Sequence, residues 1–215
     1  MEVIVIGAGG HSRSVCDIIR QSGEHDVIGL LDPNADGGFM GIPLLGGDDL
    51  LPEVFSSGRA AGAFVALGDN ALRRRIMQKV EDIGFQIINA IHPRAVVSPT
   101  ASLGKGVCVM AGAVINVNAV IGNGCIINTN CSVDHDVSIG EYCHVAPGVA
   151  ICGNVSIGEG SFLGVGSNVI DNVRIGANTT IGGGGVVVKD IEGHCTAVGV
   201  PARIIRWSGE GYEAH

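Results

Sequence analysis

The stretch VIGNGCIINTNCSVDHDVSIGEYCHVAPGVAICGNVSIGEG, residues 120–160, carries an aliphatic residue at every sixth position. Ile121, Ile127, Val133, Ile139, Val145, Ile151 and Ile157 make up that series within it. In both directions the series continues without insertion, from Ile91 to Val187, through seventeen positions that are all Ile, Leu or Val. Glycine often follows immediately, as in LGKG, IGNG, IGEG and IGGG. A period of six is neither the 3.6 of a helix nor the 2 of a simple strand. It suits a parallel β-helix in which each short flat face is one hexapeptide and three faces close a coil of about 18 residues. The ninety residues 97–186 then form about five coils.

Four places after an aliphatic of the series comes a small residue: Cys125, Cys131, Cys143, Ala113, Ala119, Val137 and Ser161 hold that register. It reads as a second, inward-facing layer, and its thiols as inert fillers of the core. Cys16, Cys108, Cys152 and Cys195 show no ligand spacing either. A prism of five coils has two open ends. Residues 1–90 can cover one, and the tail 191–215 can cover the other or lie along a side. The prism sides are flat and poor in charge, which points to partner subunits and to a homotrimer.

The totals agree with such a fold. Of 215 residues, 35 are glycine and only 4% are aromatic, so the core must be built from small aliphatic side chains. A net charge of −8 without a basic cluster argues against a nucleic-acid partner. No apolar run reaches the length of a membrane span, and nothing resembles a signal peptide. The chain reads as a soluble cytoplasmic protein with reduced thiols, not a disulfide scaffold.

Residues 1–90 alternate strands and helices, which implies a small parallel α/β, Rossmann-like domain. EVIVIG (2–7) reads as a buried strand, with a helix over roughly Arg13–Ser22 after the turn AGGHS, and DVIGLLD (26–32) as the next strand. ALRRRIMQKVEDIG is an amphipathic helix with Leu72, Ile76, Val80 and Ile83 on one face. The dinucleotide fingerprint GxGxxG is incomplete: Gly7 and Gly9 are present, but Ser12 stands in the third place. The turn still offers backbone N–H groups at a helix N-terminus, with His11 and Ser12 as side-chain donors, and so suits a phosphate or nucleotide. A purely structural tight turn is the alternative. The domain is too short for two mononucleotide-binding halves, which excludes a dehydrogenase.

The densest polar cluster is SVDHDVSIGEYCHVAPG, residues 132–148. A carboxylate beside an imidazole fixes its tautomer and raises its basicity. Neighbouring side chains of a strand face opposite ways, so contact between His135 and Asp136 needs a coil corner, with Asp134 as the alternative partner. His135 and His144 are nine residues apart, half a coil, and should lie on different sides of one prism. A site using both therefore draws them from adjacent subunits. No metal is expected, because no two of His92, His135 and His144 have the close spacing of zinc-binding β-helix enzymes. With no nucleophile elbow and no CxxC, the remaining chemistry is general-base catalysis by His135 on an amine or hydroxyl, with direct acyl transfer.

The whole chain resembles the bacterial nucleotide-sugar acyltransferases of the hexapeptide-repeat class. IVIGAGGHSRSV, VALGDNALRRRI, NAIHPRAVVSP, VDHDVSIGEYCHVAPGVAICGNVSIGEGSFLGVGSNVI and AVGVPARII carry the likeness. The resemblance implies a Rossmann-like domain over 1–90, a left-handed parallel β-helix over 91–190 and a tail over 191–215. It implies N-acetylation, with acetyl-CoA, of a 4-amino-4,6-dideoxy sugar linked to UDP or GDP. O-acetylation of sialic acid or a related sugar is the alternative within the class, and a non-enzymatic nucleotide-sugar-binding scaffold the alternative outside it. It makes His135 the base, Asp136 its orienter and His144 the neighbour of the thioester. Gly153 and Gly164 would offer amides to the donor or to a developing oxyanion, and Lys189 and Arg203 would meet CoA phosphates. Gly9, Gly10, His11, Ser12, Asp32, Gly68, Asp69 and Asn70 would form the sugar-nucleotide site.

Overall fold

The computed structural model describes residues 1–208, so the last seven residues of the 191–215 tail lie outside the described residues. Five parallel strands form the first sheet, in the order β3-β2-β1-β4-β5. They are β1 (Glu2–Ile6), β2 (Asp26–Leu31), β3 (Leu44–Gly46), β4 (Gly62–Val65) and β5 (Gln86–Ile87). Helices α1 (Gly10–Ser22), α2 (Leu51–Ser56) and α3 (Asn70–Ile83) connect them. Strand order reverses beside β1, so the carboxyl ends of β1 and β4 flank the crevice where open α/β sheets bind ligands. Helix α1 begins three residues earlier than Arg13, because the extended Gly9 serves as its N-cap. The N–H groups without an intrahelical partner are therefore those directly after Gly9.

From Ala90 onward every strand has two residues until Cys195, and each pairs in parallel with the strand 18 residues away. Ile126 lies between Cys108 and His144 on the first face, and Ser132 between Val114 and Ala150 on the second. Ser138 lies between Val120 and Ser156 on the third. The aliphatic series from Val109 to Val187 is buried inside this triangle. Cys125, Cys131 and Cys143 are buried with it. The thiols of Cys125 and Cys143 and the hydroxyl of Ser161 donate to the carbonyls of Gly140, Gly158 and Gly176 respectively, each 15 residues ahead. Burial raises the Cys125 thiol well above its ordinary range, in keeping with a filler rather than a nucleophile. Corners are turned by residues in the left-handed region, mostly Asn and Gly, among them Asn118, Asn154, Asn172, Gly148 and Gly166.

The α/β sheet seats on the first prism face. Val15, Ile18 and Ile19 of α1 share a buried cluster with Cys108, Met110 and Ile126 of the coils. On the other side of the sheet, Ile76, Met77 and Val80 of α3 cluster with Tyr142. At the far end Cys195–Val198 extends the first face, and Arg203–Trp207 turns back antiparallel against it. Ala197 and Ala202 are buried there, so this hairpin continues the core past the last coil. Val96, Val117, Val120, Val165, Ile170 and Val188 remain exposed on the prism sides and edges. No helix among the described residues is long and apolar enough to cross a membrane.

Candidate active site

His135 and Asp136 stand on the edge between the second and third faces, after Ser132–Val133 and before Ser138–Ile139. Asp136 has φ 58°, a left-handed corner. That corner brings two adjacent side chains to one side, and His135 Nδ1 lies 2.9 Å from Asp136 Oδ2. Asn118, one coil earlier, donates to Asp136 Oδ1 at 3.1 Å and holds the carboxylate in place. Asp134 accepts instead from the His135 backbone N–H at 2.8 Å and from Asn116 at 3.1 Å, away from the ring nitrogen. The hydrogen bond with Asp136 raises the His135 pKa above its ordinary value, and the same bond, helped by Asn118, lowers that of Asp136. With Nδ1–H directed at Asp136, Nε2 is left as the proton acceptor.

Gly153 lies one coil beyond His135, beneath its ring. A Cβ there would sit 2.5 Å from Cε1 and 2.6 Å from Nε2. Gly164 is placed differently. Its amide donates to the Ile181 carbonyl at 2.7 Å, so it is spent in the coil ladder and is not free for an oxyanion. Lys189 lies exposed at the same edge as His135, three coils further on, about 14 Å at the usual strand spacing. Arg203 lies exposed on the terminal hairpin, with one N–H turned back onto the Ala202 carbonyl at 2.9 Å.

His144 is on the first face, half a coil from His135, against the α/β domain. Its ring meets Phe162 edge-on, with centroids 5.1 Å apart, and Nε2 lies 3.2 Å from the Asn128 amide. Nδ1 of His144 and Nε2 of His11 are buried without a hydrogen-bond partner. Burial first, and then the nearby positive charge of Arg73, lowers the His144 pKa to about 4. Burial, then His144, then Arg73 lower that of His11 to about 4. Both rings are thus neutral near pH 7, and both have an open nitrogen at the seam between the two domains.

The turns of the α/β domain use most of their side chains on themselves. The Ser12 hydroxyl is buried and donates to the Ala66 carbonyl at 3.1 Å, so it is not a donor for a ligand. Asp32 accepts from the N–H groups of Ala8 and Asn34 at 2.8 and 2.9 Å, bracing the glycine-rich turn. Asp69 caps α3 by accepting from Leu72 N–H at 2.7 Å. Asn70 donates to the Gly160 and Ser161 carbonyls at 3.0 and 3.2 Å. The Gly68 carbonyl accepts from Arg73 at 3.1 Å, whereas what faces the crevice is the backbone at the start of α1, where a Cβ on Gly9 or Gly10 would meet open space. A cavity of about 280 Å³ opens beside it, between Gly7, Asp32, Asn34, Asp48, Leu67 and Arg75.

Sequence reasoning missed Arg73. It is 1% exposed, and among the described residues its hydrogen bonds go to backbone carbonyls and Asn70 Oδ1 rather than to a carboxylate, with Asp69 acting on it only at longer range. The residue lies three before Ile76 and seven before Val80, on the apolar stripe of α3, and that spacing was the available signal. Among the described residues no three potential metal ligands come together.

Two family models match the chain: the PglD N-terminal domain over residues 2–80 and the bacterial transferase hexapeptide (six repeats) over residues 118–153. The crystal structure of PerB from Caulobacter crescentus, in complex with CoA and GDP-perosamine, is similar with a TM-score of 0.91 and 48% identity. That match covers 95% of this chain and 97% of PerB. The acetyltransferase domain of PglB from Neisseria gonorrhoeae matches with a TM-score of 0.91 and 37% identity, covering 95% of this chain and 99% of that domain. The UDP-N-acetylbacillosamine N-acetyltransferase of Bacillus subtilis is 34% identical over 117 residues, 51% of each chain. The chain thus spans about half the length of that curated relative.

Proposed function

The chain belongs to the hexapeptide-repeat acyltransferases of nucleotide-linked 4-amino sugars, and on that premise we propose that it moves an acetyl group from acetyl-CoA to the 4-amino group of a nucleoside-diphosphate-linked 4-amino-4,6-dideoxy sugar. The observation that carries this reading is the 2.9 Å His135–Asp136 pair, its carboxylate held by Asn118 on an exposed prism edge. GDP-perosamine, the ligand of the 48% identical PerB, is the preferred acceptor in this reading. The α/β crevice takes the nucleotide, with the diphosphate on the N-terminal amides of α1 and the base in the cavity beside Asp32 and Asp48. The sugar then points to the seam of His11 and His144.

The amine attacks as the free base. Its lone pair forms the C–N bond at the thioester carbonyl while His135 Nε2 takes the proton that nitrogen sheds. The C–S bond breaks, CoA leaves as its thiolate, and the imidazolium returns the proton to thiolate or solvent. Asp136 stabilises that imidazolium. The Gly153 amide, which makes no hydrogen bond among the described residues, is the backbone donor available beside the base. Lys189 and Arg203 supply positive charge for CoA phosphates. Because His135 and His144 lie on different sides of one prism, the reading places each complete site between subunits of a homotrimer. The exposed Val117, Ile170 and Val188 at the His135 edge support burial there. Acetyl-CoA and nucleotide sugars are cytoplasmic metabolites, and the seven free cysteines suit that compartment.

An acceptor panel tests the assignment: GDP- and UDP-linked 4-amino sugars against free sialic acid, with thiol release as the readout and light scattering for assembly. The expected result is a trimer that prefers the GDP-linked amino sugar. Preference for a free hydroxylated sugar would make it an O-acetyltransferase. Tight nucleotide binding without thiol release from any acceptor would make it a scaffold. A monomer with full activity would overturn the shared site.

A further inference from the structure

Arg73 joins three parts of the molecule that are far apart in sequence. Nη1 donates to the Leu67 and Gly68 carbonyls at 2.9 and 3.1 Å, in the turn after β4. Nε donates to the Gly124 carbonyl at 2.7 Å, on a coil corner. Nη2 donates to Asn70 Oδ1 at 2.7 Å and to the Tyr142 carbonyl at 3.1 Å, with the Cys143 carbonyl at 3.4 Å. Cys143 immediately precedes His144. Asn70 extends the network to the next coil through the Gly160 and Ser161 carbonyls. An arginine buried among carbonyls, with Asp69 near but no carboxylate hydrogen-bonded to it among the described residues, carries a large desolvation cost for a purely structural tie. Its planar fork suits several acceptors at fixed angles, which a lysine ammonium cannot copy.

The two ends of this network are the two halves of the proposed site. The turn of Leu67 and Gly68 borders the nucleotide crevice, and the strand of His144 borders the donor. We propose that Arg73 is a positioning residue that couples the two substrate sites: occupation of one orders the 67–70 turn and the His144 strand together, and so favours occupation of the other. The physical basis is shared ordering. The first ligand to bind restricts groups that the second would otherwise have to restrict, and linkage makes the effect reciprocal. The inference rests on the functional reading above, since it takes the crevice as the nucleotide site and the His144 region as the CoA site.

Calorimetry on the full chain tests it, with GDP and CoA as the probes, each alone and then GDP in saturating CoA. In the wild type CoA should tighten GDP binding by at least about fivefold. In Arg73→Lys, and in Asn70→Ala, the ratio of GDP affinities with and without CoA should fall below about twofold, whatever either variant does to the affinity for each ligand alone. A merely structural Arg73 would lower the thermal midpoint and weaken both ligands without changing the ratio. If Arg73→Lys does not fold, Asn70→Ala decides, because it removes a less buried arm of the same network. Coupling that survives in the variants, or separate binding without coupling in the wild type, would overturn the inference alone. Failure of GDP and CoA to bind the wild type at all would overturn the functional reading with it.

Discussion

His135 can accept a proton only while its ring is neutral, so its environment sets the acid limit of the reaction. Its pKa is raised by the Asp136 hydrogen bond, and activity should therefore fall off on the acid side from a pH above the ordinary histidine value of 6.5. Asp136→Asn removes that support and should move the acid limb of kcat/KM to lower pH while lowering the plateau rate. His135→Asn should cost about 10²–10⁴ in kcat and leave the thermal midpoint nearly unchanged, because the ring is half-exposed on an edge. A steady-state pH series on both variants checks this, and near-wild-type turnover by His135→Asn would remove the base. Adjacent residues of a strand do not face one side, so this pair was doubtful as two letters in a row. The left-handed φ of Asp136 makes the contact, and a corner at that residue follows from the coil register, not from the dipeptide.

The coil is the element that turns a repeating sequence into a site, and two of its glycines separate packing from function. At Gly153 a methyl group would collide with the His135 ring, 2.5 Å from Cε1, and with no backbone among its nearest atoms. Gly153→Ala should therefore displace the imidazole, lowering kcat by about ten- to a hundredfold with little change in stability. At Gly164 the same methyl would meet backbone, 2.5 Å from Gly183 N and 2.7 Å from Ile181 O. Gly164→Ala should force two coils apart and lower the thermal midpoint by several degrees, roughly what 1–3 kcal/mol of overpacking produces. Circular-dichroism melts beside turnover assays distinguish the two, and matching profiles would refute the distinction. Both glycines looked equivalent in the sequence, since each follows an aliphatic of the series by one or two places.

At the scale of the molecule, the seam between domains carries a cost that depends on pH. His11 and His144 are held neutral in the fold with pKa values of about 4, against an ordinary value of 6.5 in the unfolded chain. Between those two values the unfolded chain binds more protons, so stability falls as pH drops from 6.5 towards 4 and levels off below. Each ring contributes on the order of 3 kcal/mol across that window. Thermal midpoints between pH 7 and pH 4.5 should fall more steeply for the wild type than for the His11→Gln, His144→Gln double variant, and equal slopes would contradict the buried-neutral assignment. The sequence by itself determined the prism, because each coil packs on the next through a residue 18 places away and the same six-residue rule repeats down the chain. It also determined the inward layer of cysteines and the alternating α/β half, whose patterns are local and read from neighbours. Only the tertiary structure decided the seam: which turn side chains are spent on themselves, which histidine nitrogens are left open, and that Arg73 holds carbonyls of residues 67, 124 and 142 at once. Those groups are separated by tens of residues and meet only because an apolar sheet and helix seat on one face of the prism, and no period in the sequence specifies which face or at what height.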